Sequence, residues 1–480
     1  MRVIGSTALV LVSGLLAGCA VGPDYHRPDI AMPAQFQGQP AVAARAVDDP
    51  VDLVSWWRGF NDPVMTDLVS QALRDNLDVA QAVARVTQSR ASLRAATAAL
   101  LPSGQVSGQA AHAHQSLETP EGRVLSSAPS FDRDGQLYEA DIGASWEIDL
   151  FGGLRRGREA AQAEYQASRA GIAAARIAVA AQTADTYVTI RGLQARIAIA
   201  QAQVETQRQL VATIRLQYEK GVAAELQLRQ AEGALAQVEA SVPVLNAALD
   251  SAMNALDVLL GTQPGTHRAQ LAPSAPIPIA PAIADAGGPA ELLRRRPDLI
   301  VAERKLAASN ARIGQALSEY YPKISLSGML GTATTAAGGM FGGAANQAQG
   351  VFGLRWRLFD FGRVDAEIAT ARGRNAEALA AYRLSVLRAS EDVEDAFSAL
   401  LQREAQEHIL AGGETSLAKA RTASFTAYKG GVVSLIEVLD ADNRLLATRD
   451  ARAQAQTEAA RAAIASFRAL GGGWDATRAG

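Results

Sequence analysis

Five histidines are the side chains of this sequence best suited to hold a metal, and their spacing gives no site. His26, His112, His114, His267 and His408 stand in no zinc-type spacing with acidic or cysteine partners. His112 and His114 share one face of a strand-like run, where polarity at a strand end accounts for them more simply than a metal does. Gly338, Gly339, Gly342 and Gly343 lie between two strand-like runs without a following Lys-Ser or Lys-Thr, so they read as a surface loop and not a phosphate cradle. The triple Arg294, Arg295 and Arg296 reads as a solvated segment or a source of salt bridges. No catalytic residue, no metal and no nucleotide site is therefore expected, and the chain is not expected to be an enzyme.

The one cysteine, Cys19, is different, because the chemistry its surroundings imply is done to the chain and not by it. Arg2, the apolar run Leu9 to Leu16 and the small pair Ala17 and Gly18 form a secretory signal over residues 1–18. That run is too short to remain as a membrane span. Leu16-Ala17-Gly18-Cys19 resembles the bacterial lipobox, in which the cysteine is acylated and becomes the first mature residue. Ala20 stands where an aspartate would retain a lipoprotein at the inner membrane, so an outer-membrane destination is expected. A covalent lipid on Cys19 is the only prosthetic group foreseen.

The 480 residues carry a formal net charge of -3, without the clustered Lys and Arg that nucleic acid requires. Hydrophobic residues make up 48% but aromatics only 5%, the composition of long close-packed helices. The sequence also repeats itself. Trp146 matches Trp356, Gly152 matches Gly362, Asp185 matches Asp395, Tyr218 matches Tyr428, Gly221 matches Gly431 and Gly261 matches Gly471, all at an offset of 210. Upstream, Asp78 matches Asp298 and Leu101-Pro102 matches Tyr321-Pro322 at 220. The change of offset falls between Pro102 and Trp146, where it belongs in an exposed loop.

Two rhythms fill each copy. Tyr138, Ala140, Ile142, Ala144, Trp146, Ile148 and Leu150 alternate with Glu139, Asp141, Ser145, Glu147 and Asp149, a period of two that predicts a strand with one apolar and one charged face. Strands are expected at about 103–115 and 137–151, and in the second copy at about 322–333 and 348–360. Each is long enough to cross an outer membrane when tilted. Trp146, Trp356, Tyr320 and Tyr321 are expected at interfacial girdles. A period of seven runs through Leu228, Leu235, Val242, Leu249 and Leu256, predicting long paired helices at about 154–216 and 222–260, then 361–427 and 433–470. The first would be about 95 Å long. Pro243, inside the seam, should kink its helix or remove a backbone bond. The expected organisation is signal 1–18, lipidated extended segment 19–60, first repeat 61–260, Pro-rich connector 261–289, second repeat 290–471 and tail 472–480.

Against this frame Val21-Gly22-Pro23-Asp24-Tyr25, Trp56-Trp57, Asn76-Leu77, Arg296-Pro297-Asp298-Leu299, Asp360-Phe361-Gly362 and the run from Tyr428 through Gly431-Val432 to Asp440-Ala441 stand in order along the chain. On these residues the chain resembles the TolC-like outer-membrane efflux proteins, in the lipoprotein branch that serves resistance-nodulation-division pumps. The resemblance implies a mainly α fold with a membrane β-barrel: a homotrimer, four strands per chain in a twelve-stranded barrel, continued by a helical tunnel through the periplasm. It implies a periplasmic adaptor, an inner-membrane transporter and outer-membrane lipid as partners, with no nucleic acid.

The family's periplasmic gate maps onto the turn Tyr428-Lys429-Gly430-Gly431-Val432, with Gly221 its counterpart in the first copy. Asp440 takes the acidic ring position, Glu437 lies three residues earlier, and Ile436 stands at an apolar constriction. Val433 stands where some members have an arginine, so an apolar plug with an acidic ring is expected, cation-selective and sensitive to divalent ions. Two other readings stay open at this point: the outlet of a type I protein secretion system, and a coiled-coil scaffold lipoprotein without a pore. Exported substrate is not legible in the sequence.

Overall fold

A computed structural model describes residues 20–45, 52–283 and 287–475. The signal and Cys19 lie outside the described residues.

Asp62 opens the first copy. Its carboxylate accepts from the Met65 amide at 3.0 Å and Pro63 fills the first turn, where a missing N–H costs nothing, so α1 runs Pro63–Asp75. Asn76 then ends one helix and starts the next. Its Oδ1 accepts from the amides of Asp78 and Val79 at the head of α2, Leu77–Ala98, while its Nδ2 donates to the Leu259 carbonyl at 2.8 Å. Next come β1 (Ser103–His114), β2 (Asp134–Ile148), α3 (Gly153–Glu219) and α4 (Glu225–Leu259). The second copy gives a short helix at Pro289–Arg295, then α5 (Pro297–Ser318), β3 (Lys323–Thr334), β4 (Asn346–Arg355), α6 (Arg363–Lys429) and α7 (Leu435–Ala469).

The copies use matching joints. Arg296 stands where the first copy has Asn76, and its guanidinium reaches the Ala469 carbonyl at 3.4 Å as Asn76 reaches Leu259, besides pairing with Asp298 and Asp392. Asn76 is buried, so Asn76→Ala removes two cap bonds and leaves the Leu259 carbonyl without its partner. A loss of about 1–2 kcal/mol is expected, read as a lower thermal midpoint than wild type.

Several expected boundaries move. β2 ends at Ile148 and β4 at Arg355, although alternation continues to Leu150 and Leu358. Pairing runs out there, with Ile148 opposite Ile324 and Arg355 opposite Lys323 just after Pro322; beyond it Asp149 accepts from the amides of Leu154 and Arg155, and Asp360 from those of Gly362 and Val364, which starts α3 and α6. Trp356 therefore follows its strand and does not belong to it. α4 continues through Pro243 without ending. The segment expected to be extended, 19–60, carries a helix at Gln39–Ala43 and a 3-10 turn at Leu53–Phe60, and the connector carries a helix at Arg268–Leu271.

Two compact units divide the chain: Met1–Pro28, Thr87–Ala167 and Glu303–Ala381 in one, Asp29–Val86, Ser168–Ala302 and Tyr382–Gly480 in the other. The first holds one antiparallel sheet in the order β1-β2-β3-β4. Register sorts its side chains. Val106 opposes Ile142, Ile142 opposes Leu330, and two rows away Trp146 opposes Leu326 and Leu326 opposes Phe352. All of these fall on one face; Ser107, Asp141, Gln105, Met329 and Gln349 fall on the other.

The second unit is helical, with a core near its N-terminal turn. Trp56 is fully buried, stacked on Phe467 with ring centroids 5.4 Å apart and edge-on to Trp57 and Phe60. The Tyr187 hydroxyl donates to Asp62 at 2.8 Å, and burial with that bond pushes its phenol up to about 12. Of the expected seam Leu228 and Leu256 are buried and Leu235, Val242 and Leu249 half-buried, with Ala231, Val238 and Leu245 buried beside them, and α3 packs so closely on α7 that a Cβ at Gly192 would lie 2.2 Å from the Thr457 hydroxyl oxygen. Asp185 with Arg461 and Arg196 with Asp450 join the same two helices through two-pronged ion pairs.

Candidate functional site

Two helix reversals come together at one end of the helical unit. α3 turns into α4 over residues 220–224, and α6 into α7 over 430–434. At each, one glycine is left-handed, Gly221 at φ 71° and Gly431 at φ 72°. The amides that follow bond backwards alike: Val222 to the Gln217 carbonyl at 2.8 Å, Val432 to the Ala427 carbonyl at 2.9 Å. Gly430 keeps an ordinary φ, so of the expected pair only Gly431 is required by the backbone. Leu210, Val211 and Ile214 of α3, Leu228 and Ala231 of α4, and Leu435, Val438 and Leu439 of α7 bury one another there, with Phe425 and Tyr428 packed alongside.

Tyr428 ties the reversals together. Its hydroxyl donates to Gln217 Oε1 at 3.0 Å, and burial raises the phenol above its ordinary value, so it remains a donor through the physiological range.

The carboxylates have separate occupations. Glu437 Oε1 accepts from the Ser434 amide at 3.4 Å, capping α7 as Gln227 caps α4 by accepting from Ala224 at 3.1 Å. Asp440, 55% exposed, pairs with Arg444 one turn later at 2.9 Å. Ile436, one turn before, is 58% exposed, so Ile436, Asp440 and Arg444 make one outward stripe on α7. Asp442 points inward with its side chain only 2% exposed. Its Oδ1 accepts from Arg421 Nε at 2.7 Å and its Oδ2 has no hydrogen-bond partner among the described residues. The Arg421 guanidinium lies over the Phe425 ring at 5.1 Å, and Lys429 Nζ over the same ring at 4.6 Å.

Arg444, Arg421 and Asp442 escaped the sequence reading. Arg444 was within reach, being four residues from Asp440; the Arg421–Asp442 pair spans a helix reversal whose register only the fold supplies.

The four expected girdle residues sit at one end of the sheet, where the helices begin. The Trp146 indole donates to the Leu100 carbonyl at 3.0 Å and the Trp356 indole to the Tyr320 carbonyl at 2.9 Å. The Tyr320 hydroxyl bonds Asp365, and the Tyr321 ring stacks on Phe151 at 4.6 Å. Above them the apolar face is bare: Val106 is 78%, Ile142 66% and Leu330 68% exposed. Among the described residues no group of three His, Cys, Asp or Glu could hold a metal ion.

Comparison with known proteins gives concordant matches. A family model described as outer membrane efflux protein matches residues 68–262 and 288–472. The chain is 30% identical over 466 residues to Nodulation protein T of Rhizobium leguminosarum bv. trifolii, covering 96% of both chains. It is 31% identical over 477 residues to the pyoverdine export outer membrane protein OpmQ of Pseudomonas putida, covering 98% of this chain and 97% of the relative. The solved structure of the outer-membrane channel OprN superposes with a TM-score of 0.85 at 32% identity, covering 95% of this chain and all of that one.

Proposed function

Because the chain belongs to the outer membrane efflux protein family, we propose that it is the outer-membrane channel of a tripartite efflux system, a passive export duct that performs no covalent chemistry. The observation that carries this reading is the sheet with one bare apolar face and one polar face. Water does not stabilise such a face; lipid does. The outer strands β1 and β4 each leave one edge unpaired, and hydrocarbon tolerates no open edge. Copies of the chain must then pair β4 to β1 until the sheet closes. Three copies close it as twelve strands, with the polar face lining the bore.

The internal repeat extends the same logic to the helices. Within one chain α3 packs on α7 through Asp185–Arg461 and the Gly192 contact. Repeated between copies, α6 packs on the next copy's α4, which covers Leu387, exposed in the single chain where its repeat counterpart Ile177 is buried. The homotrimer works with a periplasmic adaptor at the helix tip and an inner-membrane resistance-nodulation-division transporter, which supplies energy and selects small toxic substrates. Acylated Cys19 anchors it in the outer membrane.

Ile436 and Asp440 form the constriction. With Arg444 beside each Asp440, the ring is one of ion pairs and not of bare carboxylates, and Glu437 serves α7 more than the bore. Single-channel recording separates the contributions: Arg444→Ala should raise cation selectivity and divalent block, and Asp440→Ala should lower both. Unchanged selectivity in both variants would remove the pair from the gate. Deletion of the gene should sensitise cells to a subset of toxic compounds, with resistance restored by the wild-type chain; an unaltered toxicity screen would count against export.

A further inference from the structure

The first described residues, just after Cys19, are held to the sheet-bearing unit by bonds from both copies of the repeat. Arg156 of α3 supplies three of them. Its side chain is 6% exposed, and it donates to the Val21 carbonyl from Nε at 3.2 Å, to the Gly22 carbonyl from Nη2 at 3.2 Å and to Asp24 Oδ1 at 2.8 Å, with Glu159 as a further carboxylate at 2.8 Å. The Val21 amide donates to the Phe151 carbonyl at 3.1 Å. From the second copy, Asn310 Nδ2 of α5 donates to the Pro23 carbonyl at 3.0 Å, and Glu303 Oε1 accepts from the Tyr25 hydroxyl at 2.5 Å. Gly22, at φ 98°, crosses α5 against Gly314 so closely that a Cβ on it would lie 2.4 Å from the Gly314 Cα. A surface tail needs none of this: here five consecutive residues, Val21 to Tyr25, are fixed by backbone and side-chain bonds to two helices far apart in sequence.

We propose that Val21–Tyr25 is an anchor strap, with Arg156 as its positioning residue, that holds the acylated cysteine at a fixed level beside the strand-to-helix junction and so sets the depth at which the sheet enters the membrane. The strap brings Ala20 against that junction: a Cβ at Gly152 would lie 2.7 Å from the Ala20 Cα, and Phe151 stacks there on Tyr321 in the aromatic band. An acyl chain on the preceding residue therefore begins at the level of those rings. A freely hinged tail would tether the chain to the membrane without orienting it; a strapped one does both, because the cost of placing the sheet beside lipid is met before insertion. This inference rests on the reading of Cys19 as acylated.

The test combines exchange and assembly in the full-length protein. Arg156→Ala should speed hydrogen exchange of the Val21 amide by about tenfold or more while the core of α3 keeps its protection. Yield of membrane-assembled oligomer should fall in the acylated background, whereas in Cys19→Ser, which already lacks the anchor, adding Arg156→Ala should lower it no further. Arg156→Lys should recover part of the yield. Asn310→Ala, at a half-buried site, serves as a second variant should Arg156→Ala not fold, with the same dependence on Cys19. Unchanged exchange at Val21, or equal loss of assembly with and without the acylated cysteine, overturns the strap. Absence of radiolabelled palmitate from the wild-type protein overturns the anchor reading itself, which separates the two failures.

Discussion

Replacing Ile142 with arginine is expected to leave the chain folded and keep it out of the membrane. Ile142 lies on the bare face between Val106 and Leu330, in mid-strand and away from the aromatic band at the sheet's end. A charge there meets hydrocarbon and not solvent, at a cost of about 2–4 kcal/mol for each copy near the bilayer centre. That is about 30- to 1,000-fold in the insertion equilibrium before the copies compound it. Ser107→Arg is the control, because Ser107 opposes Asp141 on the polar face. It should insert normally and shift ion selectivity. Partition into liposomes and recovery in outer-membrane fractions measure both; equal insertion of the two variants would mean that the faces are not lipid and bore.

The second large effect is expected at the helix tip. Arg421→Ala takes from Asp442 its one partner among the described residues, and leaves a carboxylate with a 2% exposed side chain among α6 and α7. Breaking a buried pair from one side costs about 3–5 kcal/mol, since the remaining charge is neither solvated nor matched. The loss falls on the reversal beside Tyr428 and Gln217, so the tip should loosen, with more frequent spontaneous openings in single-channel records and faster proteolysis near residues 430–434. Arg421→Met combined with Asp442→Leu removes both charges and should restore closure. If the single variant opens no more often than wild type, the pair plays no part in holding the tip.

The sequence displayed its rhythms openly and its joints poorly. Alternation from Tyr138 onward announced a two-faced strand, and leucines and valines seven apart announced the helix seam, because a burial pattern is written directly into residue order. β1 was fainter: its apolar face rests on Val106 among glycines and alanines, and its partnership with Ile142 follows from register alone. Apolar alternation persists past the strand ends; what ends the strands is the loss of a paired neighbour where β3 begins after Pro322, a property of register that periodicity does not carry. At the tip, Ser434 followed by Glu437 is a capping signature legible in residue order, and it accounts for Glu437 without a gate role. Contacts such as Tyr25 with Glu303, 278 residues apart, belong to the fold and have no trace in local order.

The most direct test of the account is electrical. Purified full-length protein added to a planar lipid bilayer should give stepwise, ohmic conductance, with selectivity altered by Ser107→Arg and abolished insertion for Ile142→Arg. Protein that associates with the bilayer through its lipid yet passes no current, in wild type and in the tip-loosened Arg421→Ala alike, would contradict a sheet that closes into a pore.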